Sequence, residues 1–303
     1  MNYQNDNCAD ASANGSAQLR FTVPPDCDKM PAKHFLKGRC GLSTRMITQL
    51  KREKNGILMN GKILRTVDRV EAGAEVVVSL PREEMRIEPC EGSLDIVYED
   101  SALLVVNKPP FMPVHPVKQY QTDTLANLAA YHSREIGEDY VFRAVNRLDR
   151  NTSGLVLIAK ERFTVNILKR AVYKEYLALV HGRLDGEGTV ALPIGLHPDS
   201  KIRRHVVNEG PLCITHYRSL YSSKELSVLS LWLETGKTHQ IRCHMAHLGH
   251  PLLGDDLYGG SRELINRHAL HCKTMRFVHP VTQKKTELFA ALPDDMYSII
   301  NNY

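Results

Sequence analysis

The stretch that decides the reading runs from residue 143 to 159, Arg-Ala-Val-Asn-Arg-Leu-Asp-Arg-Asn-Thr-Ser-Gly-Leu-Val-Leu-Ile-Ala. It sets one carboxylate, Asp149, between Arg147 and Arg150, turns at Thr152-Ser153-Gly154, and enters an unbroken apolar run over 155–159. A strand without polar alternation is expected to be buried on both faces. An acid brought to the rim of such a strand by a tight turn stands on a rigid support and faces a cleft. The same residues would also suit a turn-capping Asp paired with a neighbouring Arg, so other stretches must decide between the two.

Outward from that stretch the chain alternates irregularly between short strands and helices. On its N-terminal side, 94–98 and 102–106 read as strands, followed by a proline-rich loop, Lys108-Pro109-Pro110-Phe111-Met112-Pro113-Val114-His115-Pro116, and a helix over 124–132. On its C-terminal side, Val165, Leu168 and Val172 recur at helical spacing within 161–172, and 174–180 alternates as a strand. Further strands are expected at 226–233, 271–277 and 286–290. Helices are expected at 238–248, stopping at Gly249 and Pro251, and at 293–300. Strands outnumber helices without strict βαβ alternation, which predicts an α+β domain with a mixed, largely antiparallel sheet over 94–303.

Ahead of it, 18–81 reads as a small separate α+β domain and 82–93, charged and punctuated by Pro and Gly, as a linker. Residues 1–17 are rich in Asn, Ala, Ser and Gly and read as a disordered tail. Within the small domain a strand at 18–23 precedes a helix capped by Ser43, with Met46, Ile47 and Leu50 on one face. Asn60-Gly61 between apolar runs is a hairpin signal, and 75–80 adds a strand. Lys33, Lys37, Arg39, Arg45, Lys51, Arg52, Lys54, Lys62 and Arg65 outnumber the acids, which suggests a phosphate backbone as partner rather than a merely solvated face.

The chain has 303 residues and a formal net charge of +5, with no apolar run long enough to span a membrane. Its polar N-terminus lacks a signal peptide's order, and its seven cysteines lack paired spacing. A cytoplasmic, monomeric protein with reduced thiols is expected.

Three features besides Asp149 could carry chemistry. Tyr176 lies in a strand, where its ring could stack on a planar group, though a half-buried strand tyrosine would look the same. The segment Glu234-Thr235-Gly236-Lys237-Thr238-His239-Gln240-Ile241-Arg242-Cys243-His244 joins a Gly turn to a helix start, and Arg242 could pair with a carboxylate and keep it charged. The series His239, His244, His247, His250 with Asp255 and Asp256 suggests a metal-dependent hydrolase. Helical geometry argues against it: at ~100° per residue, three of the histidines fan over roughly 120° and His239 points elsewhere. There is also no H-E-x-x-H pair. No metal site is expected.

Taken in order, these segments resemble the RluA-type pseudouridine synthases. The family's Asn-Lys-Pro-Pro-x-x-x-x-His-Pro motif is present as Asn107 to Pro110 with His115-Pro116, and its catalytic motif as Asn146-Arg147-Leu148-Asp149-Arg150-Asn151-Thr152-Ser153-Gly154. Lys174-Glu175-Tyr176 and Thr235-Gly236-Lys237-Thr238-His239-Gln240-Ile241-Arg242 match too, continued by His250-Pro251, Gly254-Asp255, Tyr258-Gly259, Leu270-His271 and His279-Pro280. Residues 18–81 resemble the alpha-L RNA-binding domain of a small-subunit ribosomal protein through Leu42-Ser43-Thr44-Arg45, Gly56-Ile57, Asn60-Gly61-Lys62 and Val70-Glu71-Ala72-Gly73-Ala74-Glu75-Val76.

The resemblance implies Asp149 as the essential acid, Tyr176 stacked on uracil, Arg242 partnering Asp149, and Arg147 replacing the extruded base in the RNA stack. It implies Arg45, Lys51, Arg52 and Lys62 on RNA and no cofactor. Two positions depart from the family pattern. Asn146 stands for the usual His, which puts RNA-loop contacts in question, and Phe111 stands for a frequent Gly. The implied activity is isomerisation of uridine in RNA, with large-subunit ribosomal RNA ahead of transfer RNA as substrate. A catalytically inactive RNA-binding assembly protein on the same fold is the alternative.

Overall fold

The computed structural model describes residues 9–11, 17–79, 87–117, 119–138, 140–169 and 171–303. They fall into two units, Met1–Arg86 with Arg162–Ile167, and Ile87–Glu161 with Leu168–Tyr303. In the first, strand β1 (Ala9–Ala11) pairs antiparallel with β2 (Ala17–Thr22). The tail expected over 1–17 thus contains a strand; its remaining residues up to 16 lie outside the described ones. Helices α1 (Ala32–Gly38) and α2 (Thr44–Leu50) follow, and the Ser43 Oγ caps α2 by accepting from the Met46 N–H at 3.2 Å.

Asn60 and Gly61 then turn β3 (Ile57–Met59) into β4 (Lys62–Ile63), both with positive φ, 49° and 77°, as a two-residue hairpin demands. With β5 (Glu75–Ser79) these strands form a sheet ordered β1-β2-β5-β3-β4. Phe35 and Leu36 of α1, Met46, Ile47 and Leu50 of α2, and Val76 and Val78 of β5 share one buried core. Helix α1 escapes the sequence reading because seven residues barely display a period.

The second unit begins inside the expected linker, of which 82–86 lie outside the described residues. Strands β6 (Ile96–Glu99) and β7 (Leu103–Lys108) form a hairpin, and α3 (Leu125–Glu135) follows the proline-rich loop. The Asn127 side chain of α3 donates to the Glu88 carbonyl at 2.7 Å, fastening residues ahead of β6. Phe111 in the loop has φ +66°, in the left-handed region that favours glycine.

Strand β8 (Ser153–Ala159) is buried at every position, as its apolar run predicts. It pairs antiparallel with β7 and parallel with a later strand, so neither edge nor face meets solvent. Its start corrects the expected turn at Thr152-Ser153-Gly154. The turn comes earlier, closed by the Thr152 N–H donating to the Asp149 carbonyl at 3.0 Å, and Ser153 and Gly154 already belong to the strand. Helix α4 (Arg162–Leu168) is shorter than its period suggests.

The remaining strands are β9 (Tyr173–His181), β10 (Glu187–Leu196), β11 (Arg204–Val206), β12 (Leu212–Ser222), β13 (Leu226–Leu233), β14 (Leu270–Val278) and β15 (Lys285–Phe289). The helices are α5 (Gln240–His247) and the terminal α6 (Asp294–Asn302). The sheet order is β11-β10-β12-β13-β9-β14-β8-β7-β6, with β15 beside β14. The β8–β14 pair is parallel and the other pairs of this sheet are antiparallel. The fold is therefore α+β with a mixed, largely antiparallel sheet. Strands β10, β11 and β12 were not expected. Arg204 belongs to β11, and Arg203 just precedes it, its carbonyl accepting from the His197 N–H at 2.9 Å.

Candidate active site

Asp149, Arg147, Tyr176 and Arg242, taken from three separate segments, line one open cleft of about 380 Å³ with Thr152, Leu233, Lys237, His239 and Leu270. Asp149 sits at the turn leading into β8 and retains 20% side-chain exposure. Tyr176, in mid-β9 between Leu231 of β13 and Cys272 of β14, is buried among strands, and burial pushes its hydroxyl well above its ordinary value. That hydroxyl is protonated at neutral pH. Arg147 is exposed at the rim.

Arg242, in the first turn of α5, is almost fully buried. Its Nε and Nη2 donate to Asp255 Oδ2 and Oδ1, both at 2.7 Å, and its Nη1 reaches Asp149 Oδ2 at 3.3 Å. The fork on Asp255 is thus the primary pairing, and Asp149, the expected partner of Arg242, takes the remaining edge. Burial opposes the charge on Arg242, but the Asp255 hydrogen bonds outweigh it and raise the arginine's pKa. Asp255 is itself buried, as a carboxylate engaged on both oxygens can be. The guanidinium carbon also lies 5.0 Å from the Tyr258 ring centre.

His239 stands apart from the other histidines and belongs to the Asp149 site. It precedes α5 with φ +59°, outside the helix, and this swings its Nε2 to 3.7 Å from Asp149 Oδ2. Its Nδ1 is 3.1 Å from the Tyr258 hydroxyl, which accepts from the Arg204 N–H at 2.8 Å. Burial holds His239 below its ordinary pKa and leaves it neutral at pH 7. The preceding loop is shaped by buried Gln240, whose Oε1 accepts from the Lys237 N–H at 3.0 Å while Nε2 donates to the Ile214 carbonyl at 3.0 Å.

Asn146 is occupied by the fold. Its Nδ2 donates to the Leu155 carbonyl at 3.1 Å and its Oδ1 accepts from the Leu157 N–H at 2.9 Å, imitating a strand along β8. The side chain thus serves as a backbone clamp that uses one donor and one acceptor. The histidine series disperses. His244 lies 2.9 Å from Thr215 Oγ1 and His250 lies 2.9 Å from the His181 carbonyl, while Asp255 serves Arg242. Among the described residues no group of three or more His, Cys, Asp or Glu is placed to hold a metal ion. Arg45, Lys51, Arg52 and Lys62 are exposed in the first unit, and none has an ion pair among the described residues. No described helix is long and apolar enough to cross a membrane.

The profile of the RNA pseudouridylate synthase family matches residues 102–247. A Bacillus subtilis relative, "Uncharacterized RNA pseudouridine synthase YjbO", is 40% identical over 273 residues, covering 87% of this chain and 96% of the relative. The chain belongs to the RNA pseudouridine synthases. It is of the RluA type, an isomerase of uridine in RNA. This synthase is also 35% identical over 265 residues to "Ribosomal large subunit pseudouridine synthase D" of Escherichia coli K12, covering 80% of this chain and 81% of that one. A solved structure, "Human RNA Pseudouridylate Synthase Domain Containing 1", matches with a TM-score of 0.54 and 27% identity over 68% of this synthase and 86% of the human chain. The meeting of Asp255, His239 and Tyr258 at the site depends on the loops around α5, which motif spacing alone does not show.

Proposed function

We propose that this synthase isomerises uridine in large-subunit ribosomal RNA with Asp149 as its essential acid. The observation that carries the reading is the Asp149 carboxylate, open to the cleft and 3.3 Å from an Arg242 guanidinium that is itself locked onto Asp255. The relatives named for the ribosomal large subunit support the choice of RNA.

The reaction breaks the N1–C1′ bond of uridine, turns the freed base and joins C5 to the same C1′. The C5 proton is lost and N1 gains one, so nothing is oxidised and no group is imported. The target base first leaves its stack, at a cost of a few kcal/mol that is least in loops. Asp149 then acts on the ribose, as a nucleophile at C1′ or as a base at C2′. Arg242 holds the carboxylate through both halves of the reaction. Tyr176 offers its ring to the uracil during rotation, and Arg147 at the rim fills the gap left in the RNA stack. Arg45, Lys51, Arg52 and Lys62 bind phosphate elsewhere on the RNA.

The test is Asp149→Asn and Asp149→Ala, each incubated with RNA from cells lacking the gene and followed by pseudouridine mapping. No product is expected from either variant. Undiminished product would end the assignment of Asp149, and restored sites lying in transfer RNA would redirect the substrate.

A further inference from the structure

The turn that presents Asp149 is held from below by three buried side chains, each gripping a different residue of it. Lys108, at the end of β7 and fully buried, donates from Nζ to the Arg150 carbonyl at 3.1 Å, and also to the Pro109 and Met112 carbonyls at 2.7 and 2.8 Å. Arg267, just before β14, donates from Nη1 to the Asn151 carbonyl at 3.2 Å, and to the His268 and Leu270 carbonyls at 3.3 and 3.4 Å. His268 Nε2 lies 2.7 Å from Thr152 Oγ1.

Arg267 differs from the other two in where its charge is answered. Its side chain has no exposure, and a buried guanidinium without a counter-charge is strongly destabilising. Its Nε and Nη2 donate to Asp295 Oδ2 and Oδ1 at 2.7 and 2.8 Å, which leaves only Nη1 for the turn. Asp295 sits in the first turn of α6, outside the cleft lining. The helix is seated by Met296 and Ile299 in a core shared with Leu177 and Leu179 of β9. The two-pronged fork fixes the plane of the guanidinium, and that plane sets where Nη1 meets the Asn151 carbonyl.

We propose that Arg267 is a positioning residue for the isomerisation, acting through the Asn151 carbonyl on the turn that presents Asp149, with Asp295 of α6 setting its pose. The proposal rests on Asp149 being the reacting acid. Displacements of about 1 Å in a reacting group can cost ~100-fold in rate, so a loosened turn should show in the chemical step before it shows in RNA binding.

The experiment uses the full chain and RNA from cells lacking the gene. It compares Asp295→Asn, Arg267→Lys, Ile299→Ala and Asp149→Asn by single-turnover rate, RNA affinity and thermal unfolding. Asp295→Asn turns an amide N–H toward the guanidinium and breaks the fork while keeping the shape. Arg267→Lys keeps the charge and loses the planar grip. Both should slow isomerisation at least ~10-fold with RNA affinity within about twofold of wild type. Ile299→Ala should lower the unfolding midpoint at an unchanged rate, because it weakens the seat of α6 without touching the fork.

A wild-type rate in Asp295→Asn overturns the proposal. So does an equal loss of rate in Ile299→Ala, which would assign the effect to helix docking. Failure of Asp295→Asn to unfold cooperatively would assign the pair to folding alone and overturn it too. Activity in Asp149→Asn would remove the reading beneath it, independently of the other variants.

Discussion

Asp149 is restrained at both its side chain and its backbone, and the two restraints come from different parts of the chain. The side chain meets Arg242, and Asp255 stands behind Arg242 on both prongs. Removing one partner of a buried charge pair costs roughly 3–5 kcal/mol, far more than a surface pair contributes. Asp255→Asn should therefore lower both the thermal midpoint and the single-turnover rate, the latter at least ~10-fold. A folded Asp255→Asn with wild-type rate would show that the aim of Arg242 is immaterial. At this scale Asp149, Tyr176 and Arg242 could be chosen from the sequence because charged or aromatic residues stood at turns and strands. His239 could not, since its approach depends on a left-handed backbone angle that no side-chain period encodes.

At the scale of elements, β8 is the support on which the turn stands. Gly154 within it has φ +110°, and a Cβ there would meet the Cys272 carbonyl oxygen at 2.3 Å and its amide nitrogen at 2.6 Å. The glycine lets β14 lie against β8 in the parallel pair that ties the turn to the sheet. Gly154→Ala should cost more than the ~1–3 kcal/mol of a strained backbone angle, since the clash is with backbone atoms that cannot swing aside. Calorimetric unfolding would test this, and a midpoint within about 2 °C of wild type would contradict it. Strand β8 was legible over 155–159 because it is apolar there. Strands β10 and β12 were not, because they mix exposed and buried positions without strict alternation: Ala191 and Pro193 of β10 face Ile214 and Leu212 of β12 in a sheet flank that only the pairing creates.

At the scale of the whole molecule, charge and pH are the levers. Replacing Arg45, Lys51, Arg52 and Lys62 together by Ala should weaken RNA binding and flatten its dependence on log salt by about 3, at ~0.7–0.9 per phosphate contact. Affinity measured between low and moderate salt reads this directly, and an unchanged slope would remove these residues from the RNA contact. In the other unit His271 is buried on β14 beside Ser153, and burial lowers its pKa to about 4. The unfolded chain takes up that proton near pH 6.5 and the folded protein only near 4. Between the two the unfolded state binds more protons, so stability is full above the upper limit and falls as pH drops through the window, by up to about 3 kcal/mol. His271→Asn should flatten the fall seen in urea unfolding at successive pH values. An identical slope would show that His271 does not titrate there.

The sequence by itself determined the α+β class, the buried β8, the Asn60-Gly61 hairpin, the Ser43 cap and the candidates Asp149, Tyr176 and Arg242. Each depends on local chemistry or short-range period: an apolar run, a turn dipeptide, a hydroxyl ahead of a helix, a charged residue at a turn. Tertiary structure decided what those residues touch. It gave Arg242 to Asp255 before Asp149, brought His239 into the cleft, set Asn146 along β8, and placed Arg267 with its Asp295 partner beneath the turn. Buried charges must find their partners wherever the packed chain brings them, and Asn151, Arg267 and Asp295, far apart in the sequence, meet only in the folded chain.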